Sequence, residues 1–585
     1  FLTKNIMHKD TVYYEKEQVV IYKVLFEKHQ EIFVFGKYCK GIHVKCAKYS
    51  RGGIRISNRH DYIDECRQLA FSQHKKNVCI VPGGSKGVVL INDFMQYEGI
   101  DSNNCDGDHD VSSNSHDDCN SVKYDNNKIL SVKLDQNLSH DQLHREAYME
   151  FIQALLDVDD HIFVAPDVGT AEFSDLANQI SVNSYHWAGE AFATGSRTTG
   201  LSHKAMGITS KGGYEVLKTY GFDLYENLCF TAIGIGGMAG DVFGNFMVLS
   251  KNIRLIAAFD HECIFIDPHP DVIESYNERV RLHRMDAPSW LHYSKLSSGG
   301  MIYKRADKEV KLTYAIRNLI GYKDVNISTD LLIKKILQLH VDVMISGGVG
   351  TYIVGKNEAV DVKNKNLQCL PNEINVSYII EMGNLTITEQ ALSYLNAKVL
   401  TSRIDSSAGV ICSDFEVNIK LLSPDIMVNK YVDFVEKMTL LHMHHKSMTV
   451  YARYNNISVV DRYYDLMCML NTEIARNITN FNNYDKIVFA CFPDELHDAY
   501  YHNILNHKFF TDIVVSFLSN MITYIVGLDD LEKLLNRVSI TAICNFIINN
   551  YEVYLTYFNQ RVYDIDVYRE EQYKNYLILL ASGEV

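Results

Sequence analysis

The feature that most restricts the fold of this chain is a regular alternation of apolar runs and helical segments between Met206 and Asn396. The runs CFTAIG, IRLIAAF, VDVMIS and VSYIIE are short, and the segments between them have the periodicity of helices. Strands that alternate with helices form βαβ units, which assemble into a parallel sheet. We therefore predict a doubly wound α/β domain in this part of the chain.

The first of these strands leads into a glycine-rich turn, TAIGIGGMAGDVFG, in which Gly234, Gly236 and Gly240 precede a helix. Glycines at such positions permit a tight turn and let the backbone approach a pyrophosphate. Asp260 ends the next strand, where a carboxylate binds the adenosine ribose and repels a 2′-phosphate. The spacing predicts a Rossmann-type site that prefers NAD to NADP. The alternative is that Asp260 only begins a polar loop.

The N-terminal part has a different pattern. Strand-like sequence runs from Val12 to Lys48, helices are predicted near Tyr62–His74 and Ser139–Leu156, and IFVAPD is another apolar strand. A segment at about 98–128 almost lacks large apolar residues, so we predict a disordered insertion there.

Asp106, Asp108 and Asp110 in this insertion have the alternate spacing of a calcium loop. Val111 stands where that loop needs glycine, and Asp117 stands where it needs glutamate. We therefore interpret the segment as an acidic loop and expect no metal site.

After about Asp425, strand-like runs give way to long helical patterns. We predict a substrate domain at 1–202, a Rossmann domain at 203–400, a return segment at 401–425 and a helical domain at 426–585. His442, His444 and His445 have no carboxylate or cysteine at ligand spacing, which favours a solvated helix end over a metal centre.

The composition excludes some classes of function. Lys and Arg number 57 and Asp and Glu number 72, a net charge of −15, which argues against nucleic acid as the main partner. It also disfavours a membrane surface. The uncharged run Ile513–Leu528 is shorter than a membrane span, and we interpret it as a buried helix.

The cysteines indicate a compartment. The 13 cysteines include no C-x-x-C pair, which indicates reduced thiols and a cytoplasmic location, with a mitochondrial one as the alternative. The chain begins at Phe1 without a signal-peptide pattern, and we expect it to be part of a longer polypeptide.

Lys86 lies in PGGSKG, which we interpret as a glycine-rich turn after an apolar strand. Crowded backbone can exclude water from such a lysine, and desolvation lowers its pKa toward the range useful for proton transfer. Taken alone, a lysine such as Lys86 is more often an ordinary surface lysine in a turn.

Several motifs together resemble one family. RGGIRIS, QHKKNVCIVPGGSKG, VAPDVGT, GITSKGG, EMGNLTIT and SSAGVICSDFEVN are similar to segments of the glutamate dehydrogenase family, above all its large NAD-specific class. The resemblance runs from about Val19 to Leu422, and a weaker helical similarity continues toward the C-terminus.

The resemblance implies roles for individual residues. Lys86 corresponds to the catalytic lysine that activates water, and Asp167 to the proton-transferring aspartate. Lys76 corresponds to the lysine that holds the substrate α-carboxylate, with Gln73 beside it on the same helix face. Arg51, whose fork suits a carboxylate, is expected to hold the γ-carboxylate together with Ser413.

In the cofactor half, the resemblance assigns Thr209 and Asn384 to the nicotinamide, the three glycines to the phosphates and Asp260 to the ribose. The chain departs from the family pattern at GGMAGD and EMGNLT, at Ser406 and at Lys211. Neither Lys86 nor Asp167 is affected by these departures.

The implied activity is reversible, NAD-dependent oxidative deamination of L-glutamate to 2-oxoglutarate and ammonia by a homo-oligomer. Two alternatives stay open. A dehydrogenase for another amino acid would replace the γ-carboxylate partners, and a catalytically silent regulatory or scaffold subunit would keep the fold without the reaction.

Overall fold

The structure is a computed structural model that describes residues 9–16, 19–58, 61–76, 83–92, 138–167, 169–225, 228–286, 288–348, 350–356, 358, 362–451, 458–559 and 561–581. The predicted insertion at about 98–128, with its calcium-like spacing, lies outside the described residues.

The N-terminal part forms a mixed seven-stranded sheet. Its strands are β1 (Lys9–Lys16), β2 (Val19–Leu25), β3 (Gln30–Phe35), β4 (Cys39–Lys45), β5 (Ser50–Ser57), β6 (Ser85–Ile91) and β7 (Ile162–Ala165). The order is β1-β2-β3-β4-β6-β5-β7, and β5 pairs in parallel with both β6 and β7. Helix α1 (Tyr62–Lys76) covers one face, while α2 (His140–Val158) and α3 (Ser174–Asn183) cover the other.

The interpretation of PGGSKG as a turn is wrong at Lys86. The lysine is the second residue of β6 and lies opposite Val44 of β4. The run VVLI after Lys86 has high β propensity, and the glycines allow close packing. A Cβ on Gly84 would lie 2.1 Å from the backbone nitrogen of His74, so α1 lies directly against the start of the strand.

The second sheet confirms the predicted doubly wound α/β domain. Its strands are β8 (Phe230–Ile235), β9 (Ile253–Phe259), β10 (Cys263–Ile266), β11 (Met301–Lys304), β14 (Val343–Ser346), β15 (Tyr378–Glu381) and β16 (Lys398–Val399). The order is β11-β10-β9-β8-β14-β15-β16. The five neighbouring strands β9, β8, β14, β15 and β16 pair in parallel. A separate antiparallel pair consists of β12 (Glu309–Lys311) and β13 (Asn326–Ser328).

Helices cover both faces of this sheet because successive residues of a strand point to opposite sides. Along β8, Phe230 and Ala232 belong to one apolar cluster, and Ile233 and Ile235 belong to the other. The helices are α4 (His203–Met206), α5 (Ile208–Thr219), α6 (Asp241–Phe246), α7 (Val272–His283), α8 (Tyr314–Ile320), α9 (Thr329–Leu337) and α10 (Glu389–Leu392).

After the second sheet, α11 (Ser402–Asp405) and α12 (Ala408–Lys420) return the chain toward the first. Helix α12 packs on α5, and its Val417 belongs to the apolar cluster of the first sheet. The helical C-terminal region comprises α13 (Val432–Tyr451), α14 (Ser458–Asn477), α15 (Asp485–Phe489), α16 (Tyr501–Leu505), α17 (Phe510–Val526), α18 (Leu528–Leu535), α19 (Ile540–Asn549), α20 (Tyr551–Phe558) and α21 (Ile565–Ala581).

Helix α17 is buried from Ile513 to Val526, as predicted for this apolar run. Among the described residues, no single helix has the length and apolar character to cross a membrane. Helices α17 and α18 reach that length and apolar character only when taken together, and a bend of 108° separates them.

The interpretation of the three histidines as a solvated helix end is wrong. His442, His444 and His445 lie inside α13, where they are 7%, 0% and 3% exposed. This helix is buried on nearly all sides, so its sequence lacks the one-sided apolar periodicity from which burial is usually inferred.

Trp290 provides a test of the packing that supports the glycine turn. Its fully buried ring stacks on Phe265, and its indole nitrogen donates to the carbonyl of Gly236 at 3.2 Å. We expect Trp290→Ala to lower the free energy of unfolding by about 3–5 kcal/mol, measured by denaturant titration. Tyr185→Ala, at a 96% exposed side chain, should change it by less than about 0.5 kcal/mol. Equal effects would contradict this account of the packing.

Candidate active site

A buried contact between Lys86 and Asp167 lies at the centre of the site. Lys86 is on β6, Asp167 follows β7, and β5 lies between these strands. The Lys86 ammonium donates to the Asp167 carboxylate, and the two side chains are 9% and 8% exposed. A Cβ on Gly53 of β5 would lie 2.6 Å from this carboxylate, so a glycine is needed for the contact to cross the strand.

Opposing effects act on the pKa of Lys86. Burial lowers the pKa of Lys86, the Asp167 carboxylate opposes that shift, and the nearby Arg55 guanidinium adds to it. Arg55 is 3.5 Å from Asp167 and also donates to Glu65 at 3.0 Å. The lysine is therefore held in a site where its neutral form is more accessible than in water.

Lys76 ends α1 and is 4% exposed. Its ammonium donates to the side-chain oxygen of Asn384, on the loop after β15. Burial lowers the pKa of Lys76 to about 7, and the charges of Lys86 and Lys446 act in the same direction, whereas the Glu381 carboxylate opposes them. Because Lys76 is already buried, a ligand carboxylate that binds its ammonium adds little further desolvation cost.

Glu381 fixes the loop that carries Asn384. Its carboxylate accepts from the backbone nitrogens of Ile387 at 3.1 Å and Ser402 at 2.7 Å. Burial raises the pKa of Glu381 to about 7. The loop is thus tied to the start of α11, and Asn384 faces Lys76 as a consequence.

Arg51 and Ser413 are close to each other, but Arg51 has a protein partner. Its guanidinium donates to the Asp414 carboxylate and, at 2.8 Å, to the carbonyl of Val410. Both members of the Arg51–Asp414 pair are fully buried. The hydroxyl of Ser413 lies 3.4 Å from the His203 ring, so His203 is a further polar neighbour on this side.

The glycine turn leaves bare backbone between β8 and α6. Gly236 has φ of +148°, and a Cβ there would lie 2.5 Å from the Phe243 ring. One oxygen of Asp260 accepts from two backbone nitrogens at 2.8 Å, which fixes the carboxylate at the end of β9. The other lies 2.3 Å from where a Cβ on Gly237 would be, so the carboxylate faces the turn.

A single cavity of about 3440 Å³ connects the two groups of residues. Every predicted site residue except Gly234 lines it, including Gln73, Thr209 and Gly240. Gly234 lies within β8, where a Cβ would meet the Phe243 ring at 2.3 Å, so its smallness serves packing. The roles assigned to these residues stay predictions.

The sequence reasoning missed Gly53, Arg55, His203 and Asp414. A signal existed for two of them. Arg51, Gly53 and Arg55 alternate along β5, so they share one face of the strand, and all three line the cavity. Asp414 follows Ser413 in the motif, but no local pattern predicts its pairing with a residue 363 positions earlier.

Comparison with known proteins identifies the family of this chain. The family model for the bacterial NAD-glutamate dehydrogenase catalytic domain matches residues 18–460. The NAD-specific glutamate dehydrogenase of Mycobacterium tuberculosis is 36% identical over 434 residues, covering 70% of this chain and 26% of the relative. That of Halomonas elongata is 35% identical over 435 residues, covering 68% and 24%. The chain belongs to the family of bacterial NAD-glutamate dehydrogenase catalytic domains.

The matched region thus spans about a quarter of the length of these curated relatives. A solved glutamate dehydrogenase structure is similar over 76% of this chain and 84% of its own, with 16% identity and a TM-score of 0.46. That distant likeness carries no argument about individual residues.

The Arg51–Asp414 pair gives a prediction about stability. Arg51→Ala would leave the Asp414 carboxylate buried without its cation, so we expect the free energy of unfolding to fall by about 3–5 kcal/mol. Denaturant titration of the unliganded protein measures this change. The double variant Arg51→Met with Asp414→Leu should recover most of the loss, since it removes both charges. An Arg51→Ala protein as stable as the parent would contradict the pairing.

Proposed function

We propose that the chain catalyses NAD-dependent, reversible oxidative deamination of L-glutamate to 2-oxoglutarate and ammonia. The observation that carries the proposal is the buried Lys86–Asp167 contact in a cavity that also contains the glycine turn and Asp260. A proton-transfer pair and a dinucleotide-type turn in one cavity are the two parts that this chemistry requires. Family membership supports the same reaction.

NAD suits the residues on the cofactor side. The turn at Gly236 and Gly237 has no side chains to obstruct a pyrophosphate, and Asp260 faces it with one carboxylate oxygen. Thr209 and Asn384 line the same cavity as the turn and Lys86 and are proposed to contact the nicotinamide. The cofactor would supply the hydride acceptor, and the protein would orient it.

On the substrate side, protonated Lys76 binds the α-carboxylate, with Gln73 beside it on α1. Once hydride has left Cα, neutral Lys86 takes a proton from water, and the resulting hydroxide attacks the iminium carbon. Asp167 passes that proton from Lys86 to the nitrogen of the resulting carbinolamine. Neutral Lys86 then takes the hydroxyl proton as the C–N bond breaks, and ammonia and 2-oxoglutarate are released. Arg55 keeps the Asp167 carboxylate oriented.

The γ-carboxylate is proposed to bind where Arg51 and Ser413 line the cavity. Because Asp414 already engages the Arg51 guanidinium, Arg51 would contribute its charge at this end, and Ser413 a hydroxyl. A dehydrogenase for an apolar amino acid would have no use for buried polar groups there.

We further propose a cytoplasmic homo-oligomer with the domain boundaries stated from the sequence. Cysteines in the described part of the chain have free thiols, which supports a reducing compartment. Light scattering of the purified chain and fractionation of cells would test both points.

The proton-transfer assignment predicts the effect of two substitutions. Lys86→Ala and Asp167→Asn should each lower kcat for glutamate by roughly 10²–10⁴. The dissociation constant of NAD, measured by calorimetry, should stay nearly unchanged because the glycine turn is intact. Lys48→Ala, at an exposed lysine of the same unit, is the control. A Lys86→Ala protein with near-normal kcat would refute the assignment, whereas a parent protein without activity would favour a silent subunit.

The ribose assignment predicts a change in cofactor preference. Asp260→Ser should weaken NAD binding by roughly tenfold. It should also reduce the difference in affinity between NAD and NADP, because the repulsion of a 2′-phosphate is removed. Arg305, which lines the cavity and donates to the Asp260 carbonyl at 2.9 Å, would then face that phosphate. The exposed Glu309→Gln is the control. Equal use of NAD and NADP by the parent protein would overturn the assignment.

A further inference from the structure

The last turn of α1, which carries Lys76, is in contact with the helical C-terminal region. Lys446 of α13 is 5% exposed, and its ammonium lies 3.5 Å from the carbonyl of Lys76. It also lies 3.4 Å from the carbonyl of Arg403 and 3.3 Å from the hydroxyl of Ser407. The final carbonyls of a helix lack intrahelical donors, and a cation at that end is favourable.

Two further contacts join the same turn to α14. The Lys75 ammonium is 3.5 Å from the Asp461 carboxylate, and Asp461 also accepts from Arg403. The ring of His74 packs edge-on against Tyr464, with centroids 6.1 Å apart. Three consecutive residues at the end of α1 therefore each contact a helix of the C-terminal region.

These contacts determine where the Lys76 ammonium lies. Its side chain extends to Asn384 of the second sheet's loop, while its backbone is held from α13. Lys446 itself does not line the cavity. Its contact with the Lys76 carbonyl connects it to a residue that does line the cavity.

We propose that Lys446 is a positioning residue for the α-carboxylate site, through which the helical C-terminal region takes part in substrate binding. The inference rests on the proposed function, because it assigns Lys76 to the substrate. It extends that function to a part of the chain beyond the two sheets. Asp461 of α14 helps to hold the same turn through its contact with Lys75.

Lys446→Met is the principal test, since methionine keeps the length of the side chain and removes the charge. Loss of the hold on the α1 turn should raise KM for glutamate roughly ten- to hundredfold, with a smaller effect on kcat. The charged groups facing Lys76 are Glu381, Asp167, Lys86 and Lys446. Lys446→Met removes a charge that lowers the Lys76 pKa, so the loss of glutamate binding at alkaline pH should begin at a higher pH than in the parent protein.

Matched variants distinguish positioning from general stability. Lys446→Arg keeps the charge, so glutamate binding should be lost at the same alkaline pH as in the parent protein; we call this loss the alkaline limb of the pH profile. Lys437→Met, at an exposed lysine of the same helix, should change neither KM for glutamate nor the alkaline limb. Asp461→Asn, at a 46% exposed carboxylate that folding should tolerate, should raise KM without moving the NAD dissociation constant.

The outcomes are separable. If the parent protein does not oxidise glutamate, the proposed function fails, and the inference fails with it. If the parent is active and Lys446→Met leaves both KM and the alkaline limb unchanged, only the inference is overturned. If Lys446→Met also loses NAD binding and so reports misfolding, Asp461→Asn decides: a raised KM supports the inference, and an unchanged one overturns it.

Discussion

The contact between Lys86 and Asp167 is the interaction on which the rest of the site depends. A lysine and an aspartate that are 81 positions apart meet in a place where each alone would be costly to bury. The contact requires three adjacent strands, in the order β6-β5-β7, and a glycine on the middle one. The register of β5 with its neighbours, in which Gly53 pairs with Ala165 and Ile54 with Gly87, places the start of β6 level with the end of β7.

The Lys86–Asp167 pair lies among other cations and carboxylates of the site. Lys76, Lys86 and Arg55 line the cavity, and the carboxylates of Asp167, Glu65 and Glu381 lie among them. In the proposed reaction, the substrate α-carboxylate binds Lys76, whose ammonium burial has already desolvated. The two sheets and α12 line this cavity, and the C-terminal helices contact the last turn of α1, which carries Lys76.

Much of the fold follows from patterns that are local in sequence. The strand and helix alternation gave the doubly wound sheet, and the glycine turn with Asp260 followed because a βαβ unit imposes its own spacing. Lys86 was misassigned to a turn because the glycines of PGGSKG serve close packing against α1 instead. The burial of His444, and the pairing of Arg51 with Asp414, depend on contacts between distant segments that no local pattern encodes.

The central claim is that the Cα of glutamate and the nicotinamide of NAD meet in this cavity beside Lys86. Incubation of the protein with NAD and L-glutamate deuterated at Cα, followed by mass spectrometry of the cofactor, tests it directly. We predict that the reduced cofactor carries one deuterium per 2-oxoglutarate formed. Absence of reduced cofactor, or reduced cofactor without deuterium, would contradict the account.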